Sequence, residues 1–195
     1  MKIKHIKATE LTTNKWSGGT TTQLAIYPKD AEYKERNFLF RISTATVETE
    51  ESVFTKLPGV SRKLMILDGE IKIEHKNHYT KILKKFDQDE FSGDGETKSY
   101  GKATDFNVMT TGNTSGTIES WQLKTDEKLV VENNKKSDFI VIYVYTGCIK
   151  LNADVIEKGD VLIIDADKTI KPFSIESLST SEIIITRISL KIRMG

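Results

Sequence analysis

The chain has 195 residues, of which 37% are hydrophobic and 29% charged, and its 29 basic and 28 acidic residues give a formal net charge of +1. These fractions are typical of a globular protein, and the length allows one domain of ordinary size or two small ones. A chain with such balanced charge shows no sign of binding nucleic acid or an anionic membrane.

No targeting or membrane-spanning segment is predicted. Polar residues alternate through Met1–Glu10, so the apolar stretch of a signal peptide is missing, and the longest apolar run, Phe139–Tyr145, has only the length of a strand. The single cysteine, Cys148, excludes an internal disulfide and is interpreted as a small buried residue. We therefore expect a cytoplasmic protein.

Short runs of β-branched and aromatic residues, separated by turn residues, dominate the chain and predict an all-β fold. A few residues of helical turn are conceivable only in Ala31–Asn37. The predicted strands, in chain order, are Gln23–Tyr27, Phe38–Val47, Lys63–Leu67, Glu70–His75, Phe106–Thr110, Phe139–Tyr145, Ile149–Leu151, Val161–Asp165 and Ile183–Leu190.

A weak internal repeat relates the two halves of the chain. Leu64–Ile73 matches Ile142–Leu151, with Gly69 and Gly147 in equivalent places, and each copy reads as a hydrophobic strand, a glycine turn and an alternating strand. The simplest interpretation is two related β-barrel halves. The alternative is that any two hairpins resemble each other.

The stretch Trp16–Gln23 is the most unusual in the chain and is a candidate binding segment. Its glycines allow a ligand to approach the backbone, its threonine and glutamine side chains offer donors and acceptors, and its tryptophan offers an apolar wall. A glycine turn followed by an edge strand explains the same residues equally well. The candidate ligand-binding residues here are Trp16, Gly18, Gly19, Thr20, Thr22 and Gln23.

Two other places put polar groups inside strand-like runs. Arg41 interrupts a hydrophobic strand, and a buried cation needs solvent, a carboxylate or an anionic ligand as its partner. In Asp105–Thr110 the alternation places Asp105, Asn107 and Met109 on one face, and the sequence leaves open whether that face meets the core. If it does, a polar ligand or ordered water is the natural partner.

No metal or other cofactor is expected. Cupins that bind a metal supply two histidines one residue apart, then a glutamate and a third histidine, whereas this chain has only His5, His75 and His78. We interpret His75 and His78 as exposed residues of a hairpin. The sequence also lacks a nucleophile elbow, a phosphate loop and a dinucleotide fingerprint.

Several separated segments, in the same order, resemble the HutD/Ves family. The family has a tryptophan before a glycine-rich turn that contains threonine, as in Trp16–Gln23, although its usual arginine–glutamate pair is absent near Gln23. The other segments that carry the resemblance are Phe38–Ser43, Phe54 with Leu57–Arg62, Leu64–Gly69, Phe91–Asp94 and Asp105–Thr110.

The resemblance implies a bicupin-like fold in which two cupin-type β-barrel halves, about 1–115 and 116–195, pack as a single domain of residues 1–195. Family members are often dimeric, so a homodimer is allowed. Members associated with histidine utilisation are thought to bind an intermediate such as a formylated glutamate.

Our first hypothesis is a non-enzymatic protein that binds a small polar or carboxylate metabolite, in which Arg41 or Arg62 meets the carboxylate and Asp105 and Asn107 help to shape the site. The second is a metal-free isomerase or hydrolase with Asp105 or Asp94 as general base. The third is an interaction module that assembles through its strand edges.

Overall fold

The computed structural model describes residues 2–133, 137–166 and 171–190. These residues form nineteen strands and one short 3-10 helix, and none of them lies in an α-helix, which confirms the all-β prediction. The chain divides into two compact units, an N-terminal unit of Thr12–Thr114 and a C-terminal unit of Ser115–Gly195 joined by Met1–Leu11. The packing of both halves as a single domain stays a prediction. No helix in the described part of the chain is long and apolar enough to cross a membrane.

The N-terminal unit consists of two antiparallel sheets. The chain opens with β1 (Lys2–Ile6) and a 3-10 helix (Ala8–Glu10), which belong to the other unit. The strands of the N-terminal unit are β2 (Thr12–Trp16), β3 (Gly19–Tyr27), β4 (Phe40–Val47), β5 (Glu51–Val53), β6 (Val60–Gly69), β7 (Ile71–His75), β8 (Tyr79–Leu83), β9 (Gln88–Ser92), β10 (Thr97–Tyr100) and β11 (Ala103–Thr111). The larger sheet has the order β2-β3-β4-β11-β6-β9, and the smaller has the order β5-β10-β7-β8.

The C-terminal unit repeats this plan. Its strands are β1 and β12 (Ser115–Leu123), β13 (Lys128–Val131), β14 (Phe139–Thr146), β15 (Cys148–Leu151), β16 (Asp154–Glu157), β17 (Val161–Asp165), β18 (Phe173–Ser177) and β19 (Ser181–Ser189). The larger sheet has the order β1-β17-β14-β19-β12, and the smaller has the order β13-β18-β15-β16.

The predicted internal repeat is confirmed by this topology. The order β4-β11-β6-β9 in one unit corresponds to β12-β19-β14-β17 in the other, and β5-β10-β7-β8 corresponds to β13-β18-β15-β16. Gly69 and Gly147 turn the chain between equivalent strands with φ of +83° and +79°. A residue with a Cβ is strained at such φ values, so both repeats require glycine at this turn.

In each unit the two sheets face each other across a hydrophobic interior. The interior of the N-terminal unit contains Leu64 and Ile66 from the larger sheet, packed with Ile71, Ile73 and Leu83 from the smaller sheet. The interior of the C-terminal unit is a larger aliphatic cluster, which includes Ile140, Ile142, Val144, Ile183 and Ile185. The predicted alternation in β7 is confirmed, because its isoleucines are buried while Lys72 is exposed.

All nine predicted strands are present, several of them longer than the sequence indicates. The segment Ala31–Asn37 forms a hydrogen-bonded turn and no helix, since the N–H of Arg36 donates to the carbonyl of Tyr33 and Arg36 has a φ of +55°. A positive φ at a residue other than glycine ends any right-handed helical path.

The carboxylate of Asp160 bonds β1 and the residues after it to the rest of the C-terminal unit. Its carboxylate accepts hydrogen bonds from the backbone N–H of Ala8 at 2.8 Å and of Glu157 at 3.2 Å. The same carboxylate lies 2.7 Å from Nε2 of His5, a residue of β1. One buried side chain therefore adds to the pairing of β1 with β17 in holding the segment that leads into the N-terminal unit.

We expect Asp160→Ala to lower the free energy of unfolding by about 1–3 kcal/mol, because it removes the charged acceptor of these part-buried hydrogen bonds. Urea denaturation followed by circular dichroism would measure this. The matched control is Asp154→Ala, since Asp154 is exposed on β16 and takes no part in these bonds. Equal effects of the two substitutions would contradict the anchoring role.

Candidate functional site

The strand register of the N-terminal unit places two arginines in one row across the larger sheet. Met109 on β11 lies opposite Arg41 on β4 and opposite Arg62 on β6. Two residues along β11, Asn107 lies opposite Leu64, which belongs to the core between the sheets. Because residues i and i+2 of a strand share a face, the whole row faces the interior.

This register answers the question that the sequence left open for Asp105–Thr110. Asp105, Asn107 and Met109 point between the two sheets, on the same side as the arginines. Phe106 and Val108, on the opposite face of β11, are buried as well. The strand is thus covered on both sides, with its polar groups directed into the unit.

Arg41 is a buried cation with neutral partners. Only 6% of the residue is exposed, its Nε donates to Oε1 of Gln23 at 2.9 Å, and one of its Nη atoms donates to Oγ of Ser43 at 3.1 Å. The ring of Tyr33 covers the guanidinium at 4.4 Å from its centroid. Burial lowers the pKa of Arg41, and nearby Tyr33 partly offsets this effect. No carboxylate among the described residues forms an ion pair with Arg41.

Arg62 has fewer partners than Arg41. Its guanidinium lies 4.7 Å from the ring centroid of Phe54 and 5.4 Å from that of Phe91, contacts that favour a cation. Its Nε is buried without an acceptor, and its side chain makes no hydrogen bond or ion pair with any residue that the structure describes. Burial lowers the pKa of Arg62 to about 10, so the side chain stays protonated at neutral pH. Arg62 is therefore a buried positive charge with unused donors.

Asp105 and Asn107 bring unsatisfied oxygens to the same interior. Oδ1 of Asn107 is buried and accepts no hydrogen bond. The carboxyl group of Asp105 receives none from the described part of the chain, and burial raises its pKa to about 7 although the charge of Arg62 acts in the opposite direction. Buried polar atoms normally have partners, so this group of orphaned atoms indicates a place for a ligand or for ordered water.

The predicted binding segment Trp16–Gln23 reaches this interior only through Gln23, the partner of Arg41. Thr22 points to the other face, where its Oγ1 lies 2.8 Å from that of Thr13, and Thr20 lies on that same face opposite Thr46. Thr21, which the sequence did not single out, lies on the interior side. Alternation along a strand makes this division between neighbouring threonines unavoidable.

The remaining candidates of that segment form the tip of the β2–β3 hairpin. Trp16 is 40% exposed, and its ring packs on Gly18 so closely that a Cβ there would lie 2.1 Å from a ring atom. Gly19 is opposite Val47, six residues along β4 from Arg41, which corresponds to about 20 Å. The structure does not bring Trp16, Gly18 and Gly19 to the arginines, and their contact with a ligand stays a prediction.

The interpretation of His75 as an exposed hairpin residue is wrong. His75 is 6% exposed, its Nε2 lies 2.8 Å from Oδ2 of Asp89, and its Nδ1 lies 2.9 Å from Oγ1 of Thr97. The reason is that His75 continues the inward positions of β7 and meets an inward residue of β9. Its ring is 4.7 Å from that of Phe91, so this network holds one of the aromatic rings that contact Arg62. His78 is exposed.

Nothing in the described part of the chain offers a metal site, since no group of three or more His, Cys, Asp or Glu residues is suitably placed. Sequence reasoning missed the side chains that contact the two arginines from other elements, namely Tyr33, Ser43, Phe54 and Phe91. Of these, only Ser43 could have been predicted, because it lies two residues from Arg41 on the same strand and therefore shares its face.

The equivalent interior of the C-terminal unit has a different character. At the register positions that correspond to Arg62 and Asn107 it carries Ile140 and Ile185, both buried in the aliphatic cluster. Aliphatic side chains fill the space at these two positions. Beside them, Arg187 lies opposite Ile140 and forms an ion pair with Glu119, and Nη1 of Arg187 and Oγ1 of Thr117 are buried without a hydrogen bond. The cation of the C-terminal unit thus has a carboxylate partner, whereas Arg62 of the N-terminal unit has none among the described residues.

Comparisons with known proteins extend over almost the whole chain. The model of the HutD family matches residues 8–183. The chain is similar to the conserved protein of unknown function PA5104 from Pseudomonas aeruginosa PAO1, with 15% identity, a TM-score of 0.81, and coverage of 97% of this chain and 100% of that chain. It is similar to HutD from Pseudomonas fluorescens SBW25, with 16% identity, a TM-score of 0.74, and coverage of 96% and 98%. No curated protein matches the chain.

The chain is also similar to a cupin 2 conserved barrel domain protein from Leptotrichia buccalis, with 12% identity, a TM-score of 0.55 and coverage of 98% of both chains. At such identities the likeness concerns the fold alone. The predicted cupin-like fold is confirmed. The sheets are separate and form a sandwich in each unit, so they do not close into one barrel.

Proposed function

The chain belongs to the HutD family, and we propose that it binds a small carboxylate intermediate inside its N-terminal unit and thereby assists or regulates histidine utilisation. The observation that carries this proposal is Arg62, a buried cation whose donors have no acceptor among the described residues. An unpaired buried charge costs several kcal/mol. A carboxylate ligand would offset that cost, because the planar guanidinium can bind it through two parallel hydrogen bonds.

The unpaired oxygen of Asn107 restricts the chemistry of the ligand further. Oδ1 of Asn107 lacks a donor, so a well-matched ligand carries an N–H or O–H group in addition to its carboxylate. The amide of a formylated glutamate, the intermediate that the family resemblance implies, has this chemistry. A second cation, Arg41, lies two strands away from Arg62, which is about 10 Å between backbones, and suits a ligand with two carboxylates.

Isothermal titration calorimetry with N-formyl-L-glutamate would test the proposal, with glutarate as the matched ligand that keeps both carboxylates and lacks the amide. We expect saturable binding of N-formyl-L-glutamate and weaker binding of glutarate. We expect Asn107→Ala to weaken binding of N-formyl-L-glutamate by about tenfold to a hundredfold, since the hydrogen bond lost from the amide of this ligand contributes about 1–3 kcal/mol.

The protein control is Thr46→Ala, because Thr46 is exposed, its side chain points away from the arginines, and its hydroxyl hydrogen-bonds with that of Thr104. This substitution should leave the affinities for N-formyl-L-glutamate and for glutarate unchanged. The proposal fails if the wild-type protein binds neither compound, or if Asn107→Ala and Thr46→Ala have the same affinities as the wild type.

A metal-free enzyme is the second candidate, and the raised pKa of Asp105 favours it, since a carboxyl group that titrates near neutral pH can accept and return a proton. Asp94, the other carboxylate considered as a base, is exposed, and hydrogen bonds from the Ser92 hydroxyl and the Gly59 N–H lower its pKa. Conversion of N-formyl-L-glutamate by the wild type, lost in Asp105→Asn, would support catalysis. Unchanged substrate at high protein concentration would exclude this reaction.

A further inference from the structure

The position of Asp105 determines how a carboxylate can enter the proposed site. Asp105 lies on the interior side of β11, two residues from Asn107, and is opposite Ala45 and Ile66. Only 6% of the residue is exposed, and burial and the charge of Arg62, with no hydrogen bond, are what act on its carboxyl group. An ionised carboxylate without donors is costly in such a place, whereas the neutral acid has an O–H of its own to donate.

The charged and titratable groups that face this interior come from several elements. Arg62 on β6, Arg41 on β4 and Tyr33 in the β3–β4 connection lie in the larger sheet or beside it, and Arg62 is the charge that acts on Asp105. From β7 of the facing sheet comes His75, which is already bonded to Asp89 of β9. Burial outweighs the attraction of Arg62 and raises the pKa of Asp105 to about 7.

Asp105 lies opposite Ile66, four residues along β6 from Arg62 and on the same interior face. A ligand carboxylate bound between Arg62 and Asp105 would therefore meet a second carboxyl group. Two carboxylates that share a buried site raise each other's pKa, which favours retention of one proton between them. Asp105 is the partner that keeps it, because its ionisation is already suppressed in the free protein, whereas the carboxylates of N-formyl-L-glutamate are fully ionised near neutral pH.

We propose that Asp105 holds the ligand as a neutral acid, its O–H donating to a ligand carboxylate beside Arg62, so that binding takes up a proton from solvent whenever Asp105 is ionised beforehand. This inference rests on the proposed function. It makes the affinity of the site dependent on pH, with tighter binding on the acidic side of neutrality.

The size of the pH dependence follows from how much of Asp105 is protonated before the ligand binds. With a pKa of about 7, roughly nine in ten Asp105 side chains are ionised at pH 8 and roughly one in ten at pH 6. Binding should therefore take up about 0.9 protons at pH 8 and about 0.1 at pH 6. The affinity should fall about tenfold between these two pH values.

Calorimetry with N-formyl-L-glutamate at pH 6 and pH 8 tests this, with the titration at pH 8 repeated in HEPES and in Tris. The two buffers differ in ionisation enthalpy, so the difference in heat counts the protons taken up. Asp105→Asn is the informative variant, because its amide N–H replaces the acid O–H as donor and cannot titrate. We expect it to bind with similar affinities at both pH values and with equal heats in both buffers.

Two results would overturn the inference alone. The first is binding by the wild type with equal heats in both buffers at pH 8, and the second is a pH dependence that persists in Asp105→Asn, which would assign the proton to another group such as His75. The absence of any binding heat in the wild type at both pH values would overturn the proposed function together with the inference.

Discussion

Replacing Arg62 by methionine is expected to abolish carboxylate binding and, at the same time, to raise the free energy of unfolding of the unliganded protein by about 1–4 kcal/mol. Methionine has a similar length and keeps the contacts with Phe54 and Phe91 through its thioether. It removes a charge that no described residue compensates. Binding is lost because the planar pair of donors is lost.

Urea denaturation and calorimetry with N-formyl-L-glutamate would measure the two effects on the same protein preparations. The matched control is Arg187→Met on β19 of the C-terminal unit. Arg187 has an Nη atom 2.6 Å from Oε2 of Glu119, an ion pair without good hydrogen-bond alignment, and it also donates to the carbonyl of Glu132. Removing this paired arginine should destabilise the protein, since Glu119 is left uncompensated.

The sign of the stability change separates two roles for Arg62. If Arg62→Met destabilises the protein as Arg187→Met does, then the cation–π contacts with Phe54 and Phe91 make Arg62 a structural residue. Higher stability together with lost binding would mean that this position is adapted to a ligand at the expense of the unliganded fold, as is common at functional sites.

The strands that could be predicted from the sequence are those with at least one clearly buried face. β7 and β14 carry isoleucine and valine at regular spacing, and both are present where their patterns indicate them. β2, with the sequence TTNKW, is exposed along its whole length at the edge of a sheet, so it shows no alternation between apolar and polar residues. Edge strands of this kind are specified by their neighbours and carry little local signal.

The site was predictable only in part, for a similar reason. A charge or amide inside a strand-like run marked Arg41, Asp105 and Asn107 as candidates, but the sequence left open which face of their strands meets the core. The faces of the β3 threonines could not be derived, because a bulge between Gln23 and Ala25 shifts the register and reverses the alternation after it. The bond between His75 and Asp89 joins two sheets and depends on topology.

The two units also show how a repeated fold can be divided between stability and function. Equivalent strands carry Arg62 and Asn107 in one unit and Ile140 and Ile185 in the other. Aliphatic side chains stabilise through burial at about 25 cal/mol per Å² of apolar surface, whereas buried polar atoms without partners oppose folding. At these two positions the C-terminal unit therefore gains stability from apolar burial that the N-terminal unit lacks.

Asp105→Asn is expected to change how the stability of the unliganded protein depends on pH. Burial raises the pKa of Asp105 from 3.8 to about 7 in the folded state. Between these two values the folded state binds more protons than the unfolded state, so the free energy of unfolding falls as pH rises through this window and levels off above it. The difference between the two pKa values corresponds to roughly 4 kcal/mol.

Asparagine has no proton to lose. Near pH 4 the variant should be no more stable than the wild type, and its stability relative to the wild type should increase as pH rises towards 8. Urea denaturation at pH 5, 6, 7 and 8 without ligand would measure the difference between the two proteins, which cancels the titration of all other groups. Asp94→Asn is the control, because the pKa of exposed Asp94 is lowered and its effect should be constant over this range. A difference between wild type and Asp105→Asn that is equally constant would show that Asp105 is ionised throughout, and that the buried arginines already have their counter-ion in the folded chain.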